Sequence, residues 1–111
     1  MLALSVRQPW ASLIAHGRKT IEWRSWRTDH RGELLIVSSK RRPEAADLED
    51  LPASLAADDL LLGKALCVVT LAGWRWDRRA RLWAWQLENA RPLPEPFPVR
   101  GRLRLYPVDL T

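Results

Sequence analysis

The sequence predicts an α+β domain in which about six strands form a small mixed or closed sheet, with two or three short helices early in the chain. Several segments alternate apolar and polar residues with the period of a strand, and one segment near the start has the spacing and end signals of a helix. The 111 residues suffice for one hydrophobic core and leave no length for a second. A single domain over residues 1–111 is therefore expected.

The chain opens with a strand and a helix. Residues 1–6 (MLALSV) are apolar and partly β-branched, which is typical of a strand. Residues 7–17 predict a short helix, because Pro9 suits its first position and Gly17 suits the position just past its end. At about two turns, this helix depends on packing rather than on propensity.

Two further strands follow the helix. Residues 20–25 (TIEWRS) alternate with period two, which places Glu22 and Arg24 on the opposite side from Trp23. Residues 33–39 (ELLIVSS) form a nearly continuous apolar run, which predicts a strand covered on both faces. Residues 43–61, rich in Ala, Leu and acidic residues, predict one or two short helices broken at Pro52.

The second half of the chain is dominated by a predicted hairpin. Residues 63–76 and 81–89 alternate as strands, and the basic DRRAR segment connects them. Residues 91–99 contain four prolines, so they are predicted to be an extended ordered arm and not a central strand. Residues 102–108 predict a closing strand whose inward side chains are those of Leu103 and Leu105.

Charge and cysteine content narrow the class of function. Eighteen Lys and Arg residues against thirteen Asp and Glu residues give a net charge of +5, which favours a polyanionic partner such as nucleic acid. The alternative is an excess charge that only prevents association. Cys67 is the one cysteine and lies in an apolar run, so it is expected to be a buried, inert thiol.

Several other classes are disfavoured. Two histidines and one cysteine occur at no zinc-ligand spacing, and no phosphate-cradling glycine motif or nucleophile elbow is present, so no metal and no cofactor is expected. The N-terminus lacks the pattern of a signal peptide, and no apolar run is long enough to span a bilayer. These features predict a cytoplasmic protein without membrane contact.

The candidate site is a strip formed by Lys19, Glu22 and Arg24. Lysine and arginine can clamp a phosphate while a carboxylate accepts a hydrogen bond from a base. Neighbouring strands can add side chains to this strip, and a tryptophan can offer a stacking plane for an unpaired base; the candidates for these two roles are Ser5, Gln8, Ser38 and Lys40, and Trp10, Trp23 and Trp26. The alternative is an ion pair on a solvated surface that contributes little.

A family resemblance rests on three segments: LSVRQPWASL at 4–13, GRKTIEWRSW at 17–26 and TDHRGEL at 28–34. Together with the later GKALCVVTL and the closing WQLENARPLPEPFPVRGRLRLY, they resemble ASCH domains, which are related to the PUA superfamily of RNA-binding folds. The resemblance covers nearly the whole chain. It implies a PUA-like β-barrel of about six strands flanked by two or three short helices, with a cleft lined by Gly17, Lys19, Glu22 and Arg24.

The resemblance also implies nucleic-acid binding or, in one branch, hydrolysis of N4-acetylcytidine. In that branch a lysine acts as base and a threonine three residues later as nucleophile. Here Lys19 is present, but the residue three later is Glu22, and Thr20 follows the lysine directly. A carboxylate cannot replace a hydroxyl that must be deprotonated to attack.

These observations predict a domain that binds nucleic acid, with RNA favoured over DNA, or a nucleotide-like ligand. The expected ligand-binding residues are Gln8, Trp10, Lys19, Glu22, Arg24, Trp26, Ser38 and Lys40, and the expected nucleic-acid track comprises Arg41, Arg42, Arg75, Arg78, Arg79 and Arg81. The alternatives are a hydrolase acting on RNA or a modified nucleoside, with Lys19 and Glu22 as catalytic candidates, and a protein-interaction module whose contact surface is the Trp-rich hairpin.

Overall fold

A mixed six-stranded sheet dominates the computed structural model, which describes residues 1–56 and 59–110. The secondary structure consists, in chain order, of β1 (Leu2–Val6), α1 (Trp10–Ala15), β2 (Ile21–Arg24), β3 (Gly32–Ser38), a 3-10 helix (Ala45–Leu48), β4 (Lys64–Asp77), β5 (Leu82–Pro98) and β6 (Leu105–Pro107). The strand order is β2-β5-β4-β3-β1-β6; β1 and β3 are parallel and the other pairs antiparallel. The predicted number of strands and the mixed sheet are confirmed, with little helix beside them.

The link between β1 and α1 is held by one buried amide. Gln8 is fully buried; its Nε2 donates to Ser12 Oγ (2.7 Å) and to the Leu61 carbonyl (2.8 Å), and its Oε1 accepts from the Ser12 backbone N–H (2.9 Å). Helix α1 ends as predicted, because Gly17 adopts φ +72° and donates its N–H to the Ile14 carbonyl.

Strands β4 and β5 form the predicted hairpin and are longer than the sequence indicates. The proline-rich residues 91–98 are extended, and they continue β5 rather than forming a separate arm. They pair with β4 alone, since β2 pairs only with residues 83–86. The missing proline N–H groups are tolerated there because this part of β5 has one neighbouring strand.

Strand β3 is buried on both faces, as its apolar run predicted. Leu34 and Ile36 belong to a core cluster with Trp85, whereas Leu35 and Val37 belong to a second cluster with Tyr106, Ala3 and Ala65. Cys67 is fully buried, as expected. Loss of hydration raises the pKa of its thiol to about 12, and the nearby Arg91 opposes that rise.

Two expectations about local structure need correction. The side chain of Leu103 does not point inward: it is 92% exposed, because residues 99–104 form a loop over β1 and only Leu105–Pro107 pair as β6. Between residues 43 and 61, the expected short helices are 3-10 rather than α: Ala45–Leu48 forms one before Pro52, Asp59 also has 3-10 geometry, and residues 57 and 58 lie outside the described residues.

Candidate functional site

The structure brings Lys19, Glu22 and Arg24 together; strand periodicity predicted this for Glu22 and Arg24, whereas Lys19 precedes β2. Lys19 Nζ lies 3.6 Å from Glu22 Oε1, and Arg24 Nη2 lies 3.0 Å from Glu22 Oε2. Glu22 also accepts the Trp23 backbone N–H (3.2 Å) and is 8% exposed, while Trp23 on the opposite face is 38% exposed. The carboxylate therefore belongs to a largely buried ion cluster and not to a solvated surface pair.

Arg24 connects this ion cluster to the other end of the sheet. Its Nη2 also donates to the backbone carbonyl of Ser5 on β1 (2.9 Å). Its Nε is buried and has no hydrogen-bond partner among the residues that the structure describes. A buried donor without a partner costs free energy.

Arg24 lines a groove between β1 and the loop of residues 99–104, which we call the basic cleft. It consists of two cavities of about 310 and 390 Å³ that share Ser5, Arg102 and Leu103. The polar and aromatic side chains of the basic cleft are those of Ser5, Arg24, Trp26, Ser38, Ser39, Lys40, Arg102 and Arg104. No described carboxylate lines either cavity.

Backbone geometry positions two of the cleft cations. Arg104 adopts φ +58°, which is uncommon for a residue with a side chain, and its guanidinium lies 5.0 Å from the Trp26 ring centroid. The Lys40 stem lies on Gly63, which has φ +67°; a Cβ at residue 63 would come within 2.9 Å of Lys40 Cγ. Both side chains thus contact a neighbouring residue while remaining exposed.

Lys19 opens onto a different cavity from Arg24. This cavity has a volume of about 560 Å³ and an apolar floor that includes Ile14, Val69 and Leu87. Its polar lining comprises Lys19, Thr20, Gln86, Glu88 and Asn89. Glu22 thus pairs with two cations that face two separate cavities.

The other predicted ligand-binding residues differ in their placement. Trp26, Ser38 and Lys40 line the basic cleft, although the Ser38 hydroxyl is already bonded to the backbone of Lys64. Gln8 is fully buried and its amide is used within the fold, so it cannot contact a ligand in this structure. Trp10 packs partly buried on the core, beside the Arg7 guanidinium (5.8 Å from its ring).

The predicted track lies at two ends of β4. Arg75, Arg78, Arg79 and Arg81 belong to the end where β4 turns into β5, whereas Arg41 and Arg42 follow Lys40 near the start of β4. Sequence reasoning missed Arg102 and Arg104, since the alternation of RLRLY was interpreted as a strand. The sequence feature that could have indicated a basic loop here is Gly101, which lies among closely spaced arginines.

One family model matches most of the chain. The model of the ASCH domain matches residues 4–97, so the chain belongs to the ASCH domain family. Activating signal cointegrator 1 of Homo sapiens and of Mus musculus are both 46% identical to it over 61 residues. That match spans 55% of this chain and 10% of the length of each relative.

Neither a metal-binding cluster nor a membrane-spanning helix is found in the described part of the chain. Within residues 1–56 and 59–110, no group of three or more His, Cys, Asp or Glu side chains is arranged to hold a metal ion. None of the helices in those ranges combines the length and the apolar character that crossing a membrane requires.

Proposed function

We propose that this ASCH domain binds nucleic acid, with RNA favoured over DNA, through the basic cleft. The observation that carries the proposal is the composition of that cleft: Arg24, Lys40, Arg102 and Arg104 line it, and no carboxylate of the described chain does. Phosphate groups are the ligands that such a surface attracts.

The residues of the ion cluster and the cation–π pair of the cleft then have distinct roles. Arg24 contacts the ligand. The buried Glu22 carboxylate does not reach the ligand and orients the Arg24 guanidinium instead. Trp26 holds the Arg104 guanidinium over its ring, so that this cation is presented to the cleft. Lys19 faces the separate cavity and is not required for phosphate binding in the basic cleft.

A curved sheet of PUA-like form is part of this proposal. Arg24 on β2 donates to Ser5 on β1, and Arg104 next to β6 stacks on Trp26 after β2, although β2 and β6 stand at opposite ends of the strand order. These contacts support a sheet that curls until its ends approach, with the basic cleft at the seam. A single domain over residues 1–111 is proposed on the same basis.

The proposal is tested by fluorescence anisotropy with a labelled ten-nucleotide single-stranded RNA and its DNA counterpart. Arg102→Gln should weaken binding about tenfold at low salt and lower the salt dependence, because one phosphate contact is lost. Arg18→Gln is the matched control, since it removes the same charge at an exposed site outside the cleft. Equal effects of the two variants would contradict a cleft-based site.

A hydrolase acting on a modified nucleoside is the second candidate, favoured by one observation. Lys19, Thr20 and Glu88 line the same cavity of about 560 Å³, which is large enough for a nucleoside. Incubation with N4-acetylcytidine, followed by chromatography, tests it. Product that disappears in Lys19→Ala, with the fold intact, would establish the hydrolase; unchanged substrate would eliminate this reaction.

A further inference from the structure

The β4–β5 hairpin carries a cluster of tryptophans on the same face as Arg24. Directly paired residues of neighbouring strands share a face, and the register pairs Arg24 with Trp83 and Trp83 with Trp76. The adjacent row pairs Glu22 with Trp85 and Trp85 with Trp74. The ion cluster and the hairpin tryptophans therefore lie on one face of the sheet, on which Trp85 is fully buried and Trp76, at the hairpin end, is exposed.

Of the three hairpin tryptophans that are not fully buried, arginines cover two rings and leave one uncovered. The Arg27 guanidinium lies 5.6 Å from the Trp74 ring and 5.3 Å from the Trp83 ring, and that of Arg31 lies 4.8 Å from Trp74. Trp76 contacts Trp83 through an edge (5.3 Å, 64°) and is 44% exposed. Within the described ranges, no guanidinium is stacked on the Trp76 ring, so its face is open to a planar group.

The charge around Trp76 is strongly positive. Three exposed arginines follow it in the hairpin turn, at positions 78, 79 and 81, whereas Arg75 pairs with Ala84 and so lies on the face of Trp23. The one carboxylate of the turn, that of Asp77, accepts the backbone N–H groups of Arg79 (2.9 Å) and Ala80 (2.8 Å). The carboxylate thus orders the turn, and an aromatic face surrounded by cations suits a base attached to a phosphate chain.

One nucleic-acid strand can span the distance between Trp76 and the basic cleft. In the sheet, only Trp83 on β5 lies between Arg24 on β2 and Trp76 on β4. With strands spaced 4.7–4.9 Å apart, the backbones of Arg24 and Trp76 are roughly 10 Å apart. Arg27 lies over Trp83 between them, so positive charge is continuous along this path.

We infer that Trp76 is a stacking subsite for an unpaired base of the strand that occupies the basic cleft, with Arg78 and Arg79 contacting its phosphates. The inference rests on the proposed function and narrows its ligand class to single-stranded nucleic acid. In a duplex both faces of a base are stacked on its neighbours, so an exposed indole can receive only an unpaired or terminal base.

The test compares three variants, Trp76→Ala, Trp76→Phe and Trp23→Ala, by anisotropy with a labelled U10 strand and a ten-base-pair RNA duplex. Trp76→Ala should weaken U10 binding about 5- to 20-fold, and Trp76→Phe less than about threefold, because a ring is retained. Trp23→Ala is the matched control, since Trp23 is similarly exposed but lies on the opposite face. Duplex binding should be the same for all variants.

The salt dependence separates stacking from phosphate contacts. Trp76→Ala should leave the slope of log K against log salt unchanged, whereas the double variant Arg78→Gln/Arg79→Gln should reduce it by about 1.4. Thermal melts establish that each variant is folded. Retention of Trp76→Phe binding guards against a merely structural effect of the alanine.

The outcomes also separate this inference from the proposed function. If Arg102→Gln weakens U10 binding and Trp76→Ala does not, the cleft stands and the stacking subsite is overturned. If only Trp76→Ala weakens it, the strand stacks on Trp76 without entering the cleft, so the cleft proposal fails and with it the link between Trp76 and the cleft. Loss of duplex and U10 binding alike in Trp76→Ala overturns the single-strand assignment, as does sedimentation showing that Trp76 instead joins two copies of the chain.

Discussion

The substitution Glu22→Gln tests the buried ion cluster. Glu22 lies 3.0 Å from Arg24 and 3.6 Å from Lys19, and its side chain is only 11% exposed. At an effective dielectric constant near 20, each pair contributes about 5 kcal/mol of gross attraction, most of which desolvation offsets. Removing the carboxylate charge leaves two neighbouring cations unneutralised. Because those cations are 19% and 26% exposed, we expect a net loss of about 2–3 kcal/mol.

The loss is measured as the change in free energy of unfolding in urea and as a fall in Tm of about 10–15 °C. Glu33→Gln is the control, since Glu33 forms a pair with Arg91 (3.7 Å) but is 63% exposed. That variant should lose at most about 0.5 kcal/mol. If both variants lose the same small amount, Glu22 does not neutralise a buried cluster and its assigned role of orienting Arg24 is wrong.

Three further predictions concern the core and the cleft loop. Cys67 should not react with a thiol reagent at pH 8 until the protein is unfolded, and stability should fall as the pH rises above 9, because the unfolded thiol ionises while the folded one, with its pKa at about 12, does not. Trp85→Phe should cost about 2–4 kcal/mol in a urea titration, since it leaves a cavity and removes the indole bond to the Trp26 carbonyl (3.1 Å). Leu103→Ala, at a 92% exposed side chain, should change stability by less than about 0.5 kcal/mol in the same assay; a larger loss would mean that the loop packs inward in solution.

Local sequence patterns predicted the elements that are determined by their own residues. Gly17 ends α1 through its own left-handed backbone, and the apolar run of β3 indicates burial on both faces. Leu103 was misplaced because RLRLY has the alternation of a strand. The segment becomes a loop through contacts made elsewhere: Gly101 lies so close to β1 that a Cβ there would come within 2.9 Å of Ser5 Oγ.

The candidate site was predictable only where its residues share one strand. Period-two alternation placed Glu22 and Arg24 on one side of β2, and the structure agrees. The burial of Glu22 depends on the packing of β2 against β5, which no local pattern encodes. Arg102 and Arg104 reach the cleft from the far end of the chain, so their role is visible only after the sheet and its loop are in place.

The most direct test of nucleic-acid binding in the basic cleft is an NMR titration of the tryptophan indole N–H signals with U10. The chain has seven tryptophans, and Trp26 lines the cleft while Trp76 stands on the same face. Binding in the basic cleft should shift the signals of these two residues and leave those of Trp10 on α1 and Trp23 on the opposite face unchanged. Shifts at Trp10 or Trp23 without a shift at Trp26 would place the ligand elsewhere and contradict binding in the basic cleft.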